Sequence, residues 1–289
     1  MFWQLLTNGI VMGSIYALVA LGFAVVYNTT KIFHIAYAVL YMFASYMILS
    51  FYRSLGLPLL LAFLLAIICT IILSVLIELL IYRPLTQKGS SLNIILISSL
   101  GVMIVVVNLV AMFYGNETKI LNPNISKSIS LGSIILTYTQ LAQFIISFLL
   151  VVSFLIFLKY SAFGIKTRAM RDDDELCTVF ALDIFKMRIF LFSLSAFFAA
   201  VGGGLIAYDV GMDPYVGLPM FLNAVVALII GGIGRFEAPV LGGFMIGILQ
   251  SIAVWTFSSR WQDAVTFSLL ILFLLVRPQG ILGEKQRAV

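Results

Sequence analysis

Nine apolar runs dominate this chain. They lie at roughly 5–27, 35–52, 57–82, 91–114, 139–160, 188–208, 220–234, 237–257 and 264–276. A helix needs about 20 apolar residues to cross the hydrocarbon of a bilayer. Inside that hydrocarbon every backbone N–H and C=O must be satisfied by the protein, which leaves helices as the natural form for such runs. Only 10% of the residues are charged and 62% are hydrophobic. A surface facing water usually draws on about a quarter charged residues. The expected fold is therefore all-α: a polytopic membrane protein with about eight or nine transmembrane helices, of which 220–234 is short enough to be re-entrant.

The loops sort by charge. Placing 28–34, 83–90, 159–188, 235–236 and the tail after 276 on one side puts 13 of the 17 Lys and Arg residues there. By the positive-inside rule that side is cytoplasmic, which leaves the N-terminus outside and the C-terminus inside. The net charge of +5 follows from these span ends and calls for no nucleic-acid partner. The partner implied directly is the lipid bilayer, and residues 1–289 read as a single transmembrane domain. The N-terminus lacks a basic n-region and reads as a first span, not a removable leader. Cys69 and Cys177 are far apart and suggest neither a disulfide framework nor a metal site.

Residues 163–190, "FGIKTRAMRDDDELCTVFALDIFKMRIF", hold the densest charge in the chain. Leu176, Val179, Phe180 and Ile184 recur at helical spacing. Asp172, Asp173 and Asp174 precede them, where carboxylates accept from the free amides of a helix start. The expectation is one short amphipathic helix over about 172–184 on the cytoplasmic face. Its apolar stripe must be covered by headgroups, by the rest of the protein, or by a docked cytoplasmic partner.

Small residues mark close helix approaches. Gly9 and Gly13 form one GxxxG pair and Gly243 and Gly247 another, and such pairs let backbones pack closely in lipid. "GGIGR", with Gly231, Gly232 and Gly234, lacks the lysine and hydroxyl of a phosphate-binding loop and reads as a tight, close-packed turn. The sequence contains neither H-E-x-x-H nor G-x-S-x-G. Glu78 is the main acidic residue inside a run. It lies near Arg83, where it can snorkel or pair, and one such carboxylate is weak support for a proton-driven carrier.

The order of these features resembles the permease subunits of branched-chain amino-acid ABC importers, the Liv-type family. Four stretches carry the likeness: residues 8–42, the loop 163–190, "NAVVALIIGGIGRFEAPVLGGFMIGILQS" at 223–251, and "VRPQGILGE" at 276–284. The last two are the most specific, since their glycines, prolines and arginine match in order and spacing. The resemblance implies a pathway made by two permease subunits, identical or related, with two cytoplasmic ATP-binding subunits and an extracytoplasmic solute-binding protein. ATP would be bound by the partner, and this chain would bind no cofactor or metal and catalyse no reaction. The segment that usually reads close to I-N-F-A-H-G is here Phe33, His34, Ile35, Ala36, Tyr37 and Ala38. Ala181-Leu182-Asp183 stands where a glycine is common. These departures leave the solute open: a branched-chain amino acid or a related small molecule.

The family's loop docks on the ATPase, so the resemblance assigns 161–187 that role. Arg168, Arg171, Asp172, Asp173, Asp174, Glu175, Leu176 and Phe180 are its candidate coupling residues. Asn28, Thr29, Thr30, His34, Tyr37 and Tyr41 are candidates for the solute pathway. His34, the only histidine, shares a helical side with Tyr37 and Tyr41 by spacing. Its alternative setting is an aromatic belt at headgroup depth. Two rival functions remain: an ion-coupled secondary transporter or channel, and an integral membrane enzyme using His34 as a base.

Overall fold

The computed structural model of the chain describes residues 2–121, 128–131, 134–180, 182–256 and 258–283, with the backbone alone for Leu131, Asp174 and Glu175. The described residues are all-α apart from one hairpin and one isolated backbone bridge. In order come α1 (Phe2–Thr30), α2 (Tyr37–Leu49), α3 (Leu59–Ile77), α4 (Arg83–Gln87) and α5 (Leu92–Tyr114). There follow β1 (Ser128–Leu131), β2 (Ile134–Thr137), α6 (Tyr138–Tyr160), α7 (Ala162–Asp172), α8 (Asp174–Val179) and α9 (Ile184–Asp209). The last three helices are α10 (Gly217–Gly231), α11 (Ala238–Thr256) and α12 (Gln262–Val276). Helix α2 runs on into a π-helical turn at Ser50–Ser54, and α3 is joined to α4 through another at Glu78–Tyr82.

Among the described residues, seven helices are long and apolar enough to cross a membrane, including Leu59–Gln87 as one piece. The chain is thus a multi-pass membrane protein. The two remaining apolar runs are shorter helices, α2 and α10. Helix α2 is buried nearly all round, as expected of a helix with no polar face.

Two compact units emerge from the backbone. One comprises residues 1–24, 124–157 and 222–289, and the other 25–123 and 158–221. In the first, the two GxxxG pairs meet. A Cβ at Gly13 would lie 2.9 Å from the Phe244 Cα, and one at Gly9 2.8 Å from the Ile248 Cα. Gly243 and Gly247 face back onto Ala17 and Gly13. The GGIG turn also finds its partner there. The amides of Ile281 and Leu282 donate to the carbonyls of Ile230 and Gly231, at 2.8 Å each. They satisfy carbonyls that the end of α10 would otherwise leave open. Gly232, at φ +123°, lies against Gly283. Two stretches that the sequence analysis treated separately, 223–251 and 276–283, thus form one joint.

In the second unit α2, α3 and α9 pack as a core. Gly203 lies against the Tyr41 carbonyl, where a Cβ would overlap it. At the far ends of α5 and α9 the chain closes through a backbone bridge: Lys119 and Met212 exchange hydrogen bonds of 2.8 Å.

Two elements differ from the sequence expectation. The hairpin pairs Ser128 with Thr137 and Leu131 with Ile134; four-residue strands in a polar loop give little periodic signal. The single amphipathic helix at 172–184 is instead two helices and a break. Asp173 adopts an extended conformation, φ −161° and ψ 111°, which ends α7 and starts α8. Helix α8 has six residues, and Ile184 belongs to α9.

Candidate functional site

The segment between α1 and α2 holds the first candidate site. Asn28, Thr29, His34, Tyr37 and Tyr41 are buried, and Thr30 is partly so. Thr29 and Thr30 return their hydroxyls to carbonyls one turn back, to Val25 and Val26. The six residues 31–36 cannot continue a helix, since Lys31 sits at φ +57°, a left-handed conformation that disfavours helical continuation.

His34 is fully enclosed by protein in the second unit. Its ring meets Tyr37, Tyr82 and Phe192 edge-on at 6.2, 5.4 and 5.2 Å between centroids. It therefore does not sit in an aromatic belt against lipid. The Tyr82 hydroxyl donates to Ser99 Oγ at 2.7 Å and lies 2.7 Å from His34 Nδ1. A phenol has one proton. With that proton on Ser99, His34 Nδ1 carries the hydrogen and donates to Tyr82. His34 Nε2 is then a bare acceptor without a hydrogen-bond partner among the described residues. Ser99 Oγ also accepts from the Ala36 amide at 2.9 Å. One hydroxyl thus ties the 31–36 break to α5 and to the π-helical turn. Tyr82 and Ser99 were missed by sequence reasoning, because nothing local joins residues 17 to 63 positions apart.

Glu78, at the start of that turn, is buried and ion-paired. Its partner is Arg188 on α9, not the neighbouring Arg83. Arg188 Nε donates to Oε1 at 2.6 Å and Nη2 to Oε2 at 3.2 Å, a two-pronged pair. Arg83 instead stacks its guanidinium 3.8 Å over the Phe185 ring. A π-helical turn carries an extra residue in the helix ladder. Here it aims Glu78 at α9 and Tyr82 at His34.

The charged loop is a chain of caps. Ser161 Oγ accepts from the Gly164 amide at 2.9 Å, and Asp173 from Leu176 at 2.9 Å. Asp183 accepts from Lys186 at 3.1 Å and pairs with its ammonium at 3.0 Å. The Lys186 amide and ammonium hold the Asp183 carboxyl below the usual carboxylate range. Gly164 is obligatory at the α6–α7 corner, where a Cβ would overlap the Leu158 backbone. Arg171 pairs with Asp172 at 2.7 Å, and Arg168 reaches the Lys159 carbonyl at 3.4 Å. Leu176, Val179 and Phe180 are 55%, 78% and 78% exposed. Among the described residues nothing covers that apolar trio. The side chains of Asp174 and Glu175, and residue Ala181, lie outside the described residues.

The first unit holds a polar group that sequence analysis also missed. Gln250 Nε2 donates to Asn223 Oδ1 at 3.1 Å and to Thr266 Oγ1 at 2.7 Å, while Gln262 donates to Gln250 Oε1 at 2.9 Å. These bonds join α10, α11 and α12. Among the described residues no three His, Cys, Asp or Glu side chains gather as a metal site would need.

Comparison with known proteins places this arrangement. The family described as "Branched-chain amino acid transport system / permease component" matches residues 5–274. The high-affinity branched-chain amino acid transport system permease protein LivH of Escherichia coli K12 is 32% identical, over 99% of this chain and 96% of its own. BraD of Pseudomonas aeruginosa, named likewise, is 30% identical over 99% and 97%. In fold, the chain is similar to PsaBC of Streptococcus pneumoniae, at a TM-score of 0.51 and 13% identity, covering 96% of this chain and 92% of that one. The chain belongs to the family of permease components of branched-chain amino acid transport systems.

Proposed function

We propose that this chain is the membrane permease subunit of an ABC importer. It passes a branched-chain amino acid, or a related small solute, across the cytoplasmic membrane with its C-terminus inside. The observation that carries the reading is the family match across residues 5–274. Energy comes from ATP bound and hydrolysed on two partner subunits, and an extracytoplasmic binding protein delivers the solute. A second permease, identical or related, completes the pathway. The chain itself supplies a path and a coupling surface and performs no covalent chemistry.

The docking surface is the loop 161–187. Leu176, Val179 and Phe180 form an exposed apolar trio, which a groove on the ATPase buries, and Arg168 faces acidic groups there. ATP drives transport only insofar as the outward and inward states bind nucleotide differently. Glu78 does not support an ion-coupled carrier, because its carboxylate is held by Arg188.

The test is affinity purification of the tagged permease from its native membrane. ATP hydrolysis should co-purify with the wild type. Replacing Asp173→Lys together with Phe180→Ala should strip about nine-tenths of it, the loss expected when about 1.4 kcal/mol of contact energy is removed. Hydrolysis that stays bound to the variant would refute the docking assignment.

A further inference from the structure

We propose that Glu78 and Arg188 are positioning residues that transmit movement of the loop 161–183 to the break at 31–36. The proposal rests on the docking reading above and adds the route by which docking reaches the helices. All of its members lie within residues 25–123 and 158–221, one compact unit.

The route is continuous. Helix α8 leads into α9 through only four residues, with the Leu182 amide bonded to the Cys177 carbonyl at 3.1 Å and Asp183 capping α9. Any displacement of α8 is therefore delivered to the first turns of α9. Those turns grip the end of the 59–87 helix at two points: Phe185 lies under Arg83, and Arg188 holds Glu78. One turn further along α9, Phe192 touches both His34 and Tyr82. Its carbonyl accepts from Ser74 at 3.0 Å.

The π-helical turn Glu78–Tyr82 supplies an element that can take two arrangements. Its extra residue is accommodated while Glu78 is held at one end and Tyr82 at the other. Releasing the pair lets the turn relax towards α-helical hydrogen bonding. A shift of one residue in an α-helix is a rotation of about 100°. Tyr82 would then leave Ser99, and Ser99 is what fixes the Ala36 amide. The Arg–carboxylate fork suits this use, since its two parallel bonds make and break together and demand one orientation. Uncharged groups of similar volume often replace a buried pair with no loss of stability, so stability alone does not account for it.

Hydrogen exchange on the complete transporter, purified with its ATPase subunits, tests this. Wild type, Arg188→Lys and Glu78→Gln/Arg188→Met are compared with and without ATP plus vanadate. The double variant leaves no buried charge alone and so retains the fold, which its melting temperature verifies. In the wild type, trapping the nucleotide should change amide protection in both 174–183 and 31–38. In the double variant 174–183 should still respond, while the response of 31–38 falls about ten-fold, the size of an ordinary coupling between sites. Arg188→Lys, which keeps the charge and loses the fork, should fall between. A wild-type response of 31–38 in the double variant would overturn the proposal. So would loss of the ATPase subunits or of the fold from that variant, since the pair would then be a docking or folding element. A loop at 174–183 that ignores nucleotide in the wild type would overturn the docking reading itself, and the relay with it.

Discussion

The crossing of α1 with α11 and the joint of the 59–87 helix with α9 solve one problem in opposite ways. At the first, backbones touch. Gly9 and Gly13 lie against Gly247, Phe244 and Ile248, with one added bond from Ser251 Oγ to the Leu5 carbonyl at 2.6 Å. At the second, long side chains meet: Glu78 pairs with Arg188 and Arg83 stacks on Phe185, and next to them Tyr82 ties the same helix to His34 and Ser99. In lipid the hydrophobic effect does not pull helices together, so van der Waals packing and interhelical hydrogen bonds must do so. Backbone contact has one closest arrangement and little freedom within it. A side-chain fork can open and close again. A transporter needs both, a fixed crossing and a movable joint.

Unpairing the joint should have the largest effect. Arg188→Met leaves a carboxylate buried without its partner, which should lower stability by about 3–5 kcal/mol. Denaturation in mixed micelles measures it. Adding Glu78→Gln should return most of that loss, because no charge is then stranded. Failure to recover would mean that shape, not charge balance, governs the joint.

Gly13→Leu should cost about 3 kcal/mol, the upper range for overpacking, since even a Cβ would lie 2.9 Å from the Phe244 Cα. Yield of folded protein from membranes reads this out. No second substitution on α11 should rescue it, because Gly13 meets backbone there. Rescue would erase the contrast drawn between the two regions.

Tyr82→Phe should cost about 1–2 kcal/mol, by leaving His34 Nδ1 and Ser99 short of a partner. Thermal unfolding of the purified chain checks it, and an unchanged midpoint would remove Tyr82 from the joint.

How much of this was legible in the sequence follows the same division. The glycine crossing was visible as two GxxxG pairs, because spacing along one helix is a local pattern, although which pair meets which was not. The apolar runs located the helices, since about 20 residues of hydrocarbon leave few alternatives. The Glu78–Arg188 pair was not legible. Its members are 110 positions apart, and Arg83, near at hand, was the nearer candidate. Arg83 turned instead to Phe185. His34 stood out as a lone histidine, yet its neighbours Tyr82, Ser99 and Phe192 come from distant helices. In the charged loop Asp172, Asp173 and Asp174 were read as the start of one helix; of these Asp173 caps α8 and Asp172 pairs with Arg171, while Asp183 was not read as a cap. Asp173 and Asp183 each start a helix, so one expected helix became two.

Smaller effects refine the loop end of the joint. Asp173→Ala removes the cap of α8 and should cost about 1 kcal/mol of local stability, seen as faster amide exchange at 176–179. The Asp183 carboxyl titrates below its unfolded value because the Lys186 amide and ammonium favour its charged form. Its contribution is therefore present above the unfolded value of about 4 and is lost as pH falls through the lower folded value. Amide protection at 184–187, taken relative to the unstructured exchange rate at each pH, should fall only under that acidity, and a change in protection near neutral pH would contradict the assignment.

Solute uptake into liposomes containing the whole transporter, with the binding protein outside and ATP trapped within, tests the central claim most directly. Radiolabelled leucine, isoleucine and valine serve as probes, with ATP hydrolysis measured in the same vesicles. The account predicts uptake that requires hydrolysis and is lost with Asp173→Lys/Phe180→Ala. Uptake at the full rate without nucleotide, driven by an ion gradient alone, would contradict it.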